Sequence, residues 1–236
     1  LLFSDQARAQ ERRAAELQGL LAQARLDAIA AQLNPHFLFN ALNSIAELVH
    51  HDADRADRML VGLSALLRRS LDSSRRQWVS LREELELLAQ YLEIEKVRLG
   101  ARMQVQWNVA EECLDEAVPP QLLQPLVENA VVHAIARRIR PGSVRIGAGL
   151  VGAALWLDVE DDGADGLPDV EGHGIGLANT RARLQVLYGD EAVLSIEATA
   201  NGGTRVGLRL PRRHAIPAST RDRPARDLRF DEVRVP

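Results

Sequence analysis

The chain has 236 residues, 46% of them hydrophobic, which suits one large domain or two small ones with a sizeable core. Its formal net charge of −4 gives no general attraction for nucleic acid, so direct nucleic-acid binding is not expected. The one cysteine, Cys113, excludes an internal disulfide, and no Cys/His cluster has the short spacing of a structural zinc site.

The chain begins Leu1-Leu2-Phe3 and then turns polar, and no apolar run is long enough to span a bilayer. From residue 4 to about 31, Ala, Gln, Arg, Glu and Leu dominate, with Leu17, Leu20, Leu21, Ala24, Ala28 and Ala31 at roughly heptad spacing. That pattern predicts a helix suited to a coiled coil.

The next stretch, Asn34-Pro35-His36-Phe37-Leu38-Phe39-Asn40, is the most informative. A proline normally belongs near a helix start or at a kink. Yet Leu26, Ile29, Leu33, Phe37, Leu42, Ile45, Leu48 and Val49 continue a helical apolar pattern on both sides. A helix bent beside an imidazole, with Asn40 one turn further on, presents a nucleophile at a fixed place. A second helix is expected over about 53–72, with Met59, Leu60, Leu63, Leu66 and Leu67 inward. Two such helices bury little by themselves, and a second copy of the chain is the economical partner. The adjacent His50 and His51 point different ways on a helix and read as solvated surface.

A third helix has a clear start: Ser80 with Glu83 three residues later forms a capping box. Leu81, Leu85, Leu88, Leu92 and Leu99 follow at helical spacing, and Gly100 is a reasonable stop. The period then changes, because Met103, Val105, Trp107 and Val109 alternate with polar residues as in a strand. A domain boundary is placed here, near residue 101. After Pro119-Pro120 a helix is expected from about Gln121 to Ala136, with Pro125 tolerable only in its first turn. Alternating runs at 144–148, 155–159, 194–196 and 204–210 predict strands, with a helix over about 177–188 between them. Strands and helices without regular alternation indicate an α+β two-layer domain. Beyond Pro211 the chain is rich in Arg, Asp and Pro, and 213–236 reads as a disordered tail.

Four separated pieces of this second domain fit one job. On the first, Leu126–His133, apolar residues face the core while Glu128, Asn129 and His133 lie mostly elsewhere; an Asn oxygen is a suitable ligand for Mg²⁺ held between phosphates. The second is Asp161-Asp162-Gly163 at a strand end, where a carboxylate can accept a hydrogen bond from an adenine amino group and the glycine lets backbone approach the base. The third is Gly172-His173-Gly174-Ile175-Gly176-Leu177-Ala178-Asn179, whose alternate glycines lead into a helix and offer backbone amides to anions. Its spacing is neither a dinucleotide fingerprint nor a Walker A loop. The fourth is Gly202-Gly203-Thr204, opening the last strand.

The motif from Leu33 to Ile45 resembles that of the LytS/YehU-type sensor histidine kinases, and the four later pieces, in this order, resemble the N, G1 and G2 boxes of the GHKL ATPase superfamily. The resemblance implies a helical dimerisation and phospho-acceptor domain over 31–100, preceded by a signalling helix over 1–30. A GHKL α+β ATP-binding domain would follow over 101–212, with the tail after it. It implies an ATP:protein-histidine phosphotransferase with ATP and Mg²⁺, in which His36 is the phospho-acceptor. Asn129 would be the Mg²⁺ ligand and Glu128 the group that orients or helps activate the imidazole. Asp161 would read adenine and Gly163 shape the base pocket. Gly174 and Gly176, with Leu177 and Asn179 just beyond, would serve the phosphates, and Thr204 would lie near the base. Asn40 would orient the imidazole or position water for dephosphorylation. The implied partners are a second copy of the chain and a response-regulator receiver domain, often of LytTR type. The implied place is the cytoplasmic face of the bacterial inner membrane, reached through a preceding membrane region.

Some residues depart from that pattern. Val132 stands where a lysine is common, which leaves His133 or an arginine to supply a phosphate contact. Asp162 replaces an Asn, and Asp165 stands where a second G1 glycine is expected. The stretch between Gly163 and Gly172, which the resemblance makes part of a mobile lid over the phosphates, is acidic through Asp165, Asp169 and Glu171. These departures keep open the alternative of a dimeric ATP-binding pseudokinase.

Overall fold

The structure is a computed structural model that describes residues 35–136, 140–163, 175–200 and 202–213. The expected helix over 4–31 and the tail beyond Arg213 lie outside the described residues. The chain divides into two compact units, Leu1–Arg58 and Met59–Pro236.

Helix α1 spans Pro35–His51. Proline opens it because a first-turn position needs no amide donor and favours a fixed φ. Phe37, Ala41 and Ile45 recur every four residues and are buried, whereas Phe39, Leu42 and Val49 are exposed. Helix α2 spans Ala53–Ser74, and Asp52 starts it by accepting the amide of Arg55 at 3.0 Å. Its buried stripe is Ala56, Met59, Leu63, Leu66, Ser70 and Ser73. Leu60, expected inward, is 48% exposed, because it sits a turn-edge away from that stripe.

Strand β1 (Val79–Ser80) runs directly into helix α3 (Leu81–Leu99). The capping box is present: Ser80 Oγ accepts the Glu83 amide at 3.2 Å, and the Glu83 carboxylate accepts the Ser80 amide at 3.1 Å. Gly100, at φ 60°, ends the helix in a conformation that favours glycine. β1 pairs antiparallel with β3 (Ala117–Val118), so α3 is tied by backbone hydrogen bonds to the segment just before the next helix. Two-residue strands carry no periodic signal, and neither was expected from the sequence.

The main sheet has the order β2-β4-β5-β7-β6: β2 (Met103–Val109), β4 (Gly142–Val151), β5 (Ala154–Asp161), β6 (Val193–Ala198) and β7 (Thr204–Pro211). β2 and β4 are parallel and every other pairing is antiparallel. Helices α4 (Gln124–Ala130) and α5 (Ile175–Tyr188) complete the layer opposite. Alternation sets the faces: Ile146, Val159 and Val206 form one cross-strand row, and Ala148, Leu157 and Leu208 the next, all buried. Leu122, Leu123, Leu126 and Val127, and Leu184 on α5, are buried as well. Each such side chain contributes about 1.5–3 kcal/mol by leaving water. The architecture is the expected α+β two-layer one.

Arg213, which the sequence placed at the start of the tail, instead stacks over Trp78 with its guanidinium 4.2 Å from the ring centroid. Trp78 meets Tyr188 edge-on, centroids 5.7 Å apart. The cation–π contact and the Ala117 amide donated to the Arg213 carbonyl at 3.1 Å hold the end of β7 in place.

Candidate functional site

The site is built from strand ends and two helix starts on one layer. Helix α4 begins at Gln124 rather than Gln121, because Pro119-Pro120 precede it and Gln121 adopts φ 56°. Pro125 falls in its first turn, as expected. Leu126, Val127 and Ala130 turn inward, leaving Glu128 and Asn129 half-buried. Gln124 Nε2 donates to Glu128 Oε1 at 2.9 Å, one turn along, which fixes the direction of that carboxylate. From Val131 to Ala136 the helix continues as a wider π turn. His133 lies in that turn, with its side chain outside the described part.

The end of β5 forms a tight corner. Asp161, 8% exposed, accepts at Oδ1 the amides of Gly163 at 2.8 Å and of Thr204 at 3.3 Å. Three expected residues, Asp161, Gly163 and Thr204, are therefore joined by direct hydrogen bonds although 43 positions separate the first and last. Asp162 is anchored beside them: Ser143 Oγ donates to its Oδ2 at 3.0 Å. Gly203 makes the corner possible, because a Cβ there would lie 1.8 Å from the carbonyl oxygen of Asp161. From sequence, Gly203 belongs to the piece that opens the last strand, with no role in this contact assigned; its adjacency to Gly202 and Thr204 was the available signal.

Of the glycine-rich stretch, Gly174 lies outside the described residues. α5 opens at Ile175, and Gly176 is close to α4: a Cβ on it would meet Pro125 Cβ at 3.5 Å. The two helix starts thus lie side by side. Leu177 is buried and Asn179 exposed. Further along α5, Arg183 donates to the carbonyl of Pro120 at 2.7 Å, a contact with no sign in the sequence.

Two expected residues belong to the other compact unit. His36 is in the first turn of α1, its side chain outside the described part, and Asn40 is half-buried one turn on.

The most informative residue that sequence reasoning missed is Glu84. It is 3% exposed, and its two carboxylate oxygens accept the amides of Gln121 at 2.8 Å and Leu123 at 2.9 Å. Burial pushes its carboxyl up to about 7, against the lowering effect of those amides and of Arg183. A second carboxyl, Asp158 on the outer face of the sheet, is pushed up to about 6 by burial, with Arg205 and Arg145 opposing.

Residues 24–103 match the family model for histidine kinases, and residues 115–214 match that for histidine kinase-, DNA gyrase B- and HSP90-like ATPases. The sensor protein LytS of Staphylococcus epidermidis is 34% identical over 203 residues, covering 80% of this chain and 34% of that protein. The sensor histidine kinase BtsS of Escherichia coli K12 is 35% identical over 192 residues, covering 81% and 34%. LytS of Enterococcus faecalis is 35% identical over 224 residues, covering 89% and 37%. The chain spans about a third of the length of the curated relatives it matches. The solved catalytic domain of the histidine kinase ThkA is similar with a TM-score of 0.48 at 17% identity, covering 58% of this chain and 97% of that one.

Proposed function

Since the chain belongs to the histidine kinase family, we propose that it carries the γ-phosphoryl group of Mg-ATP to the imidazole of His36. A neutral ring nitrogen attacks phosphorus in line; the N–P bond forms, the bond to the ADP oxygen breaks, and the imidazole gives up its proton. Histidine suits this step because a large neutral fraction exists near pH 7. Bound Mg²⁺ supplies charge neutralisation on the phosphates.

The chain's own residues divide the remaining work. Asn129 would offer an oxygen to the cation, and Glu128, held by Gln124, would orient or help activate the attacking imidazole. Asp161 accepts from the adenine amino group, with Gly163 and Thr204 shaping the base pocket. The amides of Gly174 and Gly176 stabilise phosphate charge, Leu177 and Asn179 complete the start of α5, and His133 takes the place of the missing lysine contact. The donor set fits: an oxygen ligand for the cation on α4, and at a strand end a carboxylate, held in place by two amides, of the kind that accepts from an adenine amino group.

The phosphoramidate then passes its group to an aspartate of a response regulator, for which the LytTR type is our reading. The exposed Phe39, Leu42 and Val49 of α1 and Leu60 and Val61 of α2 support burial against a second copy of the chain. Attachment to the inner membrane, with this chain on its cytoplasmic side, follows the family reading; among the described residues no helix is long and apolar enough to cross a membrane. Asn40 is assigned to positioning water for regulator dephosphorylation, a role that unchanged dephosphorylation by Asn40→Ala would exclude.

The observation that carries the reading is that one chain holds both the Asn34–Asn40 motif and an ATPase-type domain whose Asp161, Gly163 and Thr204 converge. Incubation with Mg²⁺ and γ-labelled ATP tests it. Acid-labile, alkali-stable label on the wild type and none on His36→Gln is the expected result. ATP bound without label would instead support the pseudokinase, the reading favoured by Asp165 and the acidic lid.

A further inference from the structure

Helix α4 has no cap of its own. The residue at its N-cap position is Leu123, which makes no side-chain cap hydrogen bond. The preceding turn also holds Gln121 at φ 56°, the single non-glycine residue with positive φ among the described residues. Such a turn persists only where its surroundings over-determine it.

Three elements do so here. From α3, Glu84 accepts the amides of Gln121 and Leu123, one oxygen to each. From α5, Arg183 donates to the Pro120 carbonyl at 2.7 Å. From α2, the buried Ser70 accepts the Gln121 side-chain amide through Oγ. The grip extends to the site itself. Gln124, the residue after Leu123, donates to Glu128. Tyr91, two turns beyond Glu84 on α3, is 2% exposed and within electrostatic reach of Glu128.

We propose that Glu84 is a positioning residue for phosphoryl transfer: by clasping the turn that launches α4, it sets where Glu128 and Asn129 stand, and thereby governs the rate at which bound ATP reacts rather than how tightly ATP binds. The adenine corner at Asp161 is built by other strands and does not depend on the clasp. The inference rests on the kinase reading above. Protonation relieves the cost of the buried charge, and so favours the fold, but sets an O–H against one of the two amides, so the clasp on the turn itself loosens as the pH falls through about 7. The groups facing Glu84 are the amides of Gln121, Leu122 and Leu123 and the guanidinium of Arg183, so Glu84 is the titrating member.

The test compares wild type, Glu84→Gln and Arg183→Ala by affinity for a non-hydrolysable ATP analogue, rate of His36 labelling at saturating Mg-ATP, and melting temperature. Glu84→Gln keeps the volume but turns an amino group toward one amide. Its labelling rate should fall about tenfold to a hundredfold, as expected when reacting groups shift by an ångström or less. Its analogue affinity should stay within about threefold, as for a change that spares ground-state binding. The acid limb near pH 7 present in wild type should vanish from its rate profile, leaving only that of the histidine. Arg183→Ala should lower the rate in the same direction, and covers the case in which Glu84→Gln does not fold. An unchanged rate in both variants, or affinity and rate lost in equal measure, would overturn the proposal. A wild type without label refutes the kinase reading and this role with it. A labelled wild type with an unchanged Glu84→Gln refutes the clasp alone.

Discussion

Asp161 and Glu84 are both buried carboxylates that accept a pair of backbone amides, and the contrast between them separates two kinds of work in one domain. Asp161 accepts the amides of Gly163 and Thr204 on one oxygen, Oδ1, at the end of strand β5. Glu84 uses one oxygen for each of two amides, inside the protein, between helix α3 and the turn before α4. The first arrangement is the one we propose for reading adenine. The second spends a charge on holding backbone in a conformation it would not keep alone. Burial makes that charge costly, so the proton affinity of Glu84 rises toward neutrality.

The sharpest way to break the Asp161 half is Gly203→Ala. A Cβ 1.8 Å from the Asp161 carbonyl must displace backbone on β5 or β7, and neither is a flexible side-chain tip. We expect a loss of about 3 kcal/mol or more in urea melts, together with the site.

The Glu84 half has a pH signature of similar size. Its carboxyl sits near 7 when folded against an ordinary 4.5. The folded state therefore holds the proton more tightly, and stability falls as the pH rises from about 4.5 to about 7, by on the order of 3 kcal/mol. Asp158, raised from 3.8 to about 6, adds a slope of the same sign at lower pH. The informative quantity is thus the difference between wild type and Glu84→Gln, in which the Glu84 portion should be absent.

Asp161→Asn should cost less in stability but cut affinity for an ATP analogue about thirtyfold, because an amide nitrogen would face the adenine amino group. Arg183→Ala is the mildest, at about 1 kcal/mol for one hydrogen bond to the Pro120 carbonyl.

The sequence revealed these two carboxylates unequally. Asp161 was legible because Asp-Asp-Gly follows an apolar run and stands in order with the three other pieces; alone it reads as an ordinary Asp-Gly turn. The capping box of Ser80 and Glu83 was equally legible, since its chemistry is local. Glu84 was not, because beside Glu83 in the first turn of a helix it looks like another solvated acid. One signal was present: Glu84, Leu88, Tyr91 and Glu95 share the spacing of the buried leucines, and an acid at an apolar position marks a buried partner. What that partner is depends on the pairing of β1 with β3, two-residue strands that no periodicity announces. The sheet could be read from alternation in β4, β5 and β7, whereas its order and the parallel β2–β4 pair come from tertiary contacts.

The most direct test of this division is to measure analogue affinity and the saturated His36 labelling rate side by side in Asp161→Asn and Glu84→Gln. The account predicts a crossed result, with affinity lost in the first and rate in the second. Loss of the same quantity in both variants would contradict it.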